Sequence, residues 1–287
     1  MKNILGFTKI ILLITIIIPA MLVAQKKQIM EKNETTVSYT IHGNGDKKVI
    51  VLHSWMGDYE SWNPTIPYLD LANYTYVFMD VRGYGKSKDI RGKYTSDEIA
   101  NDIFNLADGI GFDKFYIVGH SMTGMAVQKA ALLDKSDRII KVVAVTPVSS
   151  GGFPVDENNR NFFESIIQNY EMAKVAFGAF TSNRLLDKWK SISAKRHLEV
   201  TDANAQMTYI DMWTGENFSD KMTAVKMPFL VITGQYDHPG FILDAQKKAF
   251  SQFQQVEFLE IENSGHFPMQ ETPIFLASSI ENFISKD

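Results

Sequence analysis

Short apolar runs alternate along the chain with segments whose apolar residues recur every three or four positions. Residues 49–52, 76–79, 115–118, 142–145, 229–232 and 256–261 read as strands. Most are unbroken apolar runs, the pattern of parallel strands covered on both faces. Between them, residues 96–109 carry Ile99, Ile103 and Leu106 at helical spacing, continued by Ile110, and Thr95-Ser96-Asp97-Glu98 supplies a start signal. Ahead of these, residues 28–31 and 36–41 flank Asn33-Glu34 and read as an antiparallel hairpin. A hairpin followed by strand–helix repeats predicts an α/β sheet.

Two intervals break this rhythm. From about residue 151 to 222 no strand pattern occurs, and the apolar spacing is helical. Phe162, Phe163, Ile166, Ile167 and Tyr170 form one group, Leu185, Leu186, Trp189 and Ile192 a second, and Met207, Ile210 and Trp213 a third. Such a stretch is too long for a loop and reads as a helical subdomain inserted into the sheet domain. The second interval is the N-terminus. Lys2 and Lys9 precede and enter a nearly unbroken aliphatic run, residues 10–18, which Pro19 and a small-residue site at Ala24 follow. That order reads as a secretory signal peptide over residues 1–24, leaving a mature domain of residues 25–287 that is exported to a periplasmic or extracellular space. The run is short against the roughly 20 residues of a membrane span. An uncleaved anchor is the competing reading, and the N-terminal segment is then the chain's one expected membrane contact.

Composition narrows the function classes. The 287 residues are 45% hydrophobic, enough for one large domain with its own core. There are no cysteines, which excludes disulfides, thiolate metal sites and a cysteine nucleophile. The formal net charge is -4, and removing residues 1–24 takes away two lysines and no acids, making it -6. Nothing resembles the basic footprint of a nucleic-acid partner. No His-Glu-x-x-His or phosphate-loop pattern is present, so neither a metal nor a cofactor is expected.

The chemistry gathers at "VGHSMTG", where Ser121 stands between a buried strand and a helical segment. A serine hydroxyl is a weak nucleophile unless a base lies within hydrogen-bond reach and a carboxylate orients that base. A serine before a helix is also a common N-cap, so the partners must decide. His266 follows the last strand in "ENSGHFPMQETP", at a strand's carboxyl end where α/β sites collect. Asp237 follows the preceding strand in "VITGQYDHPG", where an Asx turn is the competing role. The chain order serine, acid, histidine is that of a nucleophile-elbow hydrolase. His238 is read as a bystander, and Asp80, Arg82, Gly83 and Gly85 as loop-fixing residues.

These segments resemble the α/β-hydrolase superfamily over residues 25–287. "VIVLHSWMGDYESW" is similar to its oxyanion-loop segment and "FMDVRGYGKS" to its Asp-x-Arg-Gly-x-Gly-x-Ser segment. "VGHSMTG" is similar to its nucleophile elbow, and "GQYD" and "SGHF" to its acid and histidine loops. The resemblance implies a mostly parallel sheet of eight strands with helices on both faces and a helical cap over about 151–222. It implies Ser121 as nucleophile, His266 as base and Asp237 as orienting acid. The backbone N–H groups of Trp55 and Met122 would form the oxyanion hole. Two departures stand out: Thr123 replaces the second elbow glycine, and Ser54 replaces the glycine after His53. The bulkier threonine is expected to loosen or shift the elbow.

The expectation is an exported serine hydrolase acting on a small or medium acyl substrate, a carboxylic ester before other classes, with Trp55, Met56 and Met122 lining its site. Ser121 in place of an aspartate argues against dehalogenase or epoxide-hydrolase chemistry. Amide or C–C hydrolysis, acyl transfer and perhydrolysis on the same triad are the alternatives, as is a non-catalytic ligand-binding protein.

Overall fold

A computed structural model describes residues 37–286. The expected signal segment and the first arm of the expected hairpin lie outside the described residues. The six strand-like runs became six parallel neighbours: β2 (Lys47–Leu52), β3 (Tyr74–Met79), β4 (Phe115–His120), β5 (Ile139–Val145), β6 (Phe229–Gly234) and β7 (Val256–Ile261). The short β1 (Tyr39–His42) pairs antiparallel with β3. The order is β1-β3-β2-β4-β5-β6-β7, seven strands among the described residues where eight were expected.

Strands β3 and β5 show why the runs are continuous. Every residue of β3 and all but Ile140 of β5 are buried, because helices cover both faces of the sheet. The outer strand β7 instead leaves Glu257 and Glu260 exposed, which fits a strand with one free edge. Helix α1 (Ser96–Gly109) buries Ile99, Ile103 and Leu106, and Thr95 accepts a hydrogen bond from the Glu98 N–H as its cap. Helix α2 (Met122–Leu133) is buried on nearly every side.

The order reverses at β2 and β4. The chain builds β2 and β3 to one side, then returns to place β4 on the other side of β2, with Leu52 beside Gly119. Loops leaving the carboxyl ends of these two strands therefore diverge and open a crevice. Residues 53–58 and Ser121 flank that crevice.

Between β5 and β6 lie α3 (Glu157–Ile166), α4 (Tyr170–Ala179), α5 (Asp187–Val200) and α6 (Ala203–Gly215). This is the strand-poor interval read as a cap; its one β contact is an isolated bridge between Thr201 and Tyr84. Among the described residues no helix is long and apolar enough to cross a membrane.

Candidate active site

Ser121 is held in a conformation that an L-residue rarely adopts, with φ 54° and ψ -114°. Its backbone is clamped on both sides: its N–H donates to Val145 O (3.0 Å), and its carbonyl accepts from Gly124 (2.9 Å) and Val148 (3.0 Å). The side chain makes no capping bond to α2, which removes the N-cap reading. Thr123 ties this turn to its surroundings. Its buried hydroxyl accepts from the His120 N–H (3.0 Å) and donates to His53 O (2.8 Å), joining the elbow to the loop after β2. The close approach expected of the second elbow glycine has moved one place on, since a Cβ at Gly124 would lie 2.5 Å from Pro147 Cβ.

The three residues singled out by their order meet. His266 Nε2 lies 2.8 Å from Ser121 Oγ, and His266 Nδ1 lies 2.8 Å from Asp237 Oδ2 and 3.0 Å from Oδ1. All three are buried. With the proton on Nδ1, the ring donates to the carboxylate and offers a lone pair to the serine hydroxyl. Burial lowers the His266 pKa from the ordinary histidine range, favouring the neutral ring, while the Glu271 charge opposes this. Burial raises the Asp237 pKa, opposed by the His238 N–H, which donates to Oδ1 at 2.6 Å. The His266 carbonyl accepts from the His120 ring Nε2 (2.8 Å) and from Thr146 Oγ1 (3.1 Å), so the loop is pinned to the ends of β4 and β5.

A cavity of about 420 Å3, its open mouth included, lies in front of Ser121. Trp55, Met56 and Met122 all line it, as expected. Six further aromatic walls join them: Phe163 and Trp213, named above for their helical spacing, Phe153 and Phe180 from the same cap interval, and Phe241 and Phe267 from the later loops. Met122 opens α2, where amides have no partner inside the helix.

Residues 47–273 match the family described as alpha/beta hydrolase fold. The chain belongs to that family. A stretch of 131 residues is 30% identical to the dihydrolipoyllysine-residue acetyltransferase component of the acetoin cleaving system of Cupriavidus necator, covering 46% of this chain and 33% of that protein. A stretch of 105 residues is 31% identical to epoxide hydrolase B of Mycobacterium tuberculosis, covering 36% and 29%. The chain thus spans about a third of the length of these relatives. The crystal structure of a bromoperoxidase from Bacillus anthracis superposes with TM-score 0.77 at 20% identity, covering 86% of this chain and 95% of that one, a likeness of fold.

In this member of the α/β-hydrolase-fold family the cap reaches the loop after β2 through Trp55. The Trp55 ring Nε1 donates to Gln206 O (3.0 Å), and Gln206 Nε2 donates to Trp55 O (3.5 Å). Gln206 is held in turn by Thr201 Oγ1 (3.0 Å) and lies 3.3 Å from His197 Nε2. Ser54, the other departure, accepts from the Met56 N–H through its Oγ (3.2 Å) and so shapes the same loop. Asp80, Arg82 and Gly85 sit where a loop-fixing role puts them. Asp80 accepts from the N–H groups of Tyr59 and Lys86, Arg82 makes a two-pronged pair with Asp102 at 2.7 Å, and a Cβ on Gly85 would strike the Asp80 carboxyl.

Burial lowers the His197 pKa to about 4. An unfolded histidine titrates near 6.5, so between these values the folded chain binds fewer protons than the unfolded one. Stability then falls as pH drops from about 6.5 toward 4, by on the order of 3 kcal/mol for this residue. His197→Gln is expected to flatten that part of a curve of unfolding free energy against pH. An identical acid loss in the variant would rule out His197 as its source.

Proposed function

We propose that the protein is a serine hydrolase that cleaves carboxylic esters of compact, uncharged acyl groups through an acyl-enzyme. One observation carries the reading: a strained, clamped serine whose Oγ is 2.8 Å from an imidazole that a buried carboxylate orients at 2.8 Å. Ser121 Oγ attacks the ester carbonyl carbon while His266 Nε2 takes its proton. The N–H groups of Met122 and Trp55 hold the oxyanion, a kind of contact worth about a hundredfold or more in rate per donor. Collapse breaks the acyl–oxygen bond, and His266 passes its proton to the departing alkoxide. Water then attacks the acyl carbon, giving its proton to His266, and the acid leaves as Ser121 recovers its hydrogen.

The cavity walls support the substrate class. Among the described residues that line it, none but His266 carries an ionisable side chain, and seven are Phe or Trp. An acyl carboxylate would be buried there without a partner, which costs several kcal/mol. On matched p-nitrophenyl esters, a neutral four-carbon acyl group is expected to exceed a succinate monoester by about 100-fold or more in kcat/KM. Equal rates would remove the neutral-acyl assignment. The reaction class itself is tested by a fluorophosphonate probe, with the adduct mapped by mass spectrometry. A Ser121 adduct that is lost in His266→Ala supports the serine reading. A folded, unlabelled wild-type chain with no esterase activity would sink it. Faster turnover of matched amides, or of hydrogen peroxide to a peracid, would move the assignment to those reactions.

A further inference from the structure

Residues 180–184 leave the end of cap helix α4 and run over both loops that carry the acid and the base. The carbonyl of Phe180 accepts from the His266 N–H (2.9 Å), and Ser182 Oγ donates to the carbonyl of Tyr236, the neighbour of Asp237 (2.8 Å). Arg184 reaches furthest. Its Nη1 donates to Asn263 O (3.1 Å), its guanidinium lies 4.6 Å from the centre of the Tyr236 ring, and its Nη2 is ion-paired with Glu271. The Glu271 side chain is buried and grips the base loop itself: Oε2 accepts from the Gly265 N–H (2.9 Å) and Oε1 from the Phe267 N–H (3.0 Å). Three successive amides, at residues 265, 266 and 267, are thus all held, two by Glu271 and one by the cap. The packing has no slack, since a Cβ on Gly265 would lie 2.7 Å from Phe180 O. Ser182 and Asn183 turn the segment back with φ of 49° and 55°.

We propose that residues 180–184 form a strap that sets the position of the base, with Arg184 and Glu271 as positioning residues for His266. The cap is then part of the apparatus that aligns the triad as well as a wall of the cavity. The inference rests on Ser121, His266 and Asp237 being the reacting groups. Its energetic logic is simple. A buried carboxylate is costly unless paired, and burial does raise the Glu271 pKa against the effect of its three donors. Removing the Arg184 charge therefore weakens the carboxylate that holds the His266 loop. A displacement of the order of 1 Å at a reacting group is enough to cost about 100-fold in rate.

The test uses Arg184→Gln, Arg184→Lys and Glu271→Gln in the full chain, with p-nitrophenyl butyrate as substrate. In Arg184→Gln and Glu271→Gln, kcat is expected to fall about 10- to 100-fold while KM stays within about twofold. Arg184→Lys should recover part of the loss, because it keeps the charge but cannot make two directed bonds. Amide hydrogen exchange at residues 265–267 should quicken in the first two variants. In Glu271→Gln the acid limb of kcat/KM should also move to lower pH, since the Glu271 charge raises the His266 pKa. Asp237, His120 and His238, the other titratable groups around that ring, are unaltered in the variant. A folded Arg184→Gln or Glu271→Gln chain with unchanged kcat and unchanged exchange would overturn the strap, as would a lower Tm with neither readout moved. Should Arg184→Gln not fold, the other two variants give the same readouts. If Ser121→Ala kept wild-type turnover, the serine reading would fall, and amide exchange would still decide the strap.

Discussion

Ser121→Ala is expected to lower kcat by about 10,000-fold or more and leave the chain as stable as before. The rate loss follows from geometry. The Ser121 hydroxyl is the group His266 Nε2 addresses at 2.8 Å, and among the described residues no other hydroxyl is hydrogen-bonded to that ring. The unchanged stability follows from what this hydroxyl does not do. It makes no capping bond to α2, while the bonds that clamp residue 121 come from its backbone and survive in alanine. Residues held in strained active-site conformations often give neutral or stabilising substitutions. The measurement is a pair: steady-state turnover of a neutral ester, and thermal unfolding of the same preparations. Turnover within tenfold of wild type would reject the nucleophile assignment and favour a ligand-binding role. A rate loss that came with a large drop in Tm would reject the claim that this side chain is free of structural duty.

The three residues that meet at the site, Ser121, Asp237 and His266, were legible because each sits just after an apolar run, and apolar runs are local signals. The runs also made the sheet legible, but its order was not. The crevice between β2 and β4 depends on pairings such as Leu52 with Gly119, between residues far apart in the chain. The cap was visible as an interval and only partly as helices. Tyr170 was read with Phe162 and Phe163 as one group, whereas the chain breaks after Ile166 and restarts as α4. The missed signal was Asn169, whose side chain accepts from the Met172 N–H as an N-cap. Periodicity could not reveal the cavity's aromatic walls either. Phe153 and Phe241 stack 4.9 Å apart, and only the fold brings a cap residue against a loop after β6. Thr123 was read only in part. Its bulk was weighed and its hydroxyl was not, yet the hydroxyl is what joins the elbow to His53.

Asp237→Asn is expected to cost about as much as losing a reacting group, roughly 10,000-fold in kcat, although its shape is nearly unchanged. The reason lies in which atom faces which. Asp237 Oδ1 accepts from the His238 N–H at 2.6 Å, while Oδ2 lies 2.8 Å from His266 Nδ1. An asparagine has one acceptor, and the His238 N–H claims it. The amide NH2 is then turned toward His266 Nδ1, which must become the acceptor of that bond. The ring proton moves to Nε2, and Nε2 can no longer take the proton of Ser121. The wrong tautomer thus disables the base while the pocket stays intact. KM for a neutral ester should change little, and labelling of Ser121 by a fluorophosphonate should slow in proportion to kcat. Histidine NMR provides the direct check: the resident proton should be found on Nδ1 in the wild-type chain and on Nε2 in the variant. If the proton stayed on Nδ1 and the rate still collapsed, the cause would be the lost negative charge rather than the tautomer. If the rate held within tenfold, Asp237 would be a turn residue and the orienting role would have to pass to another group.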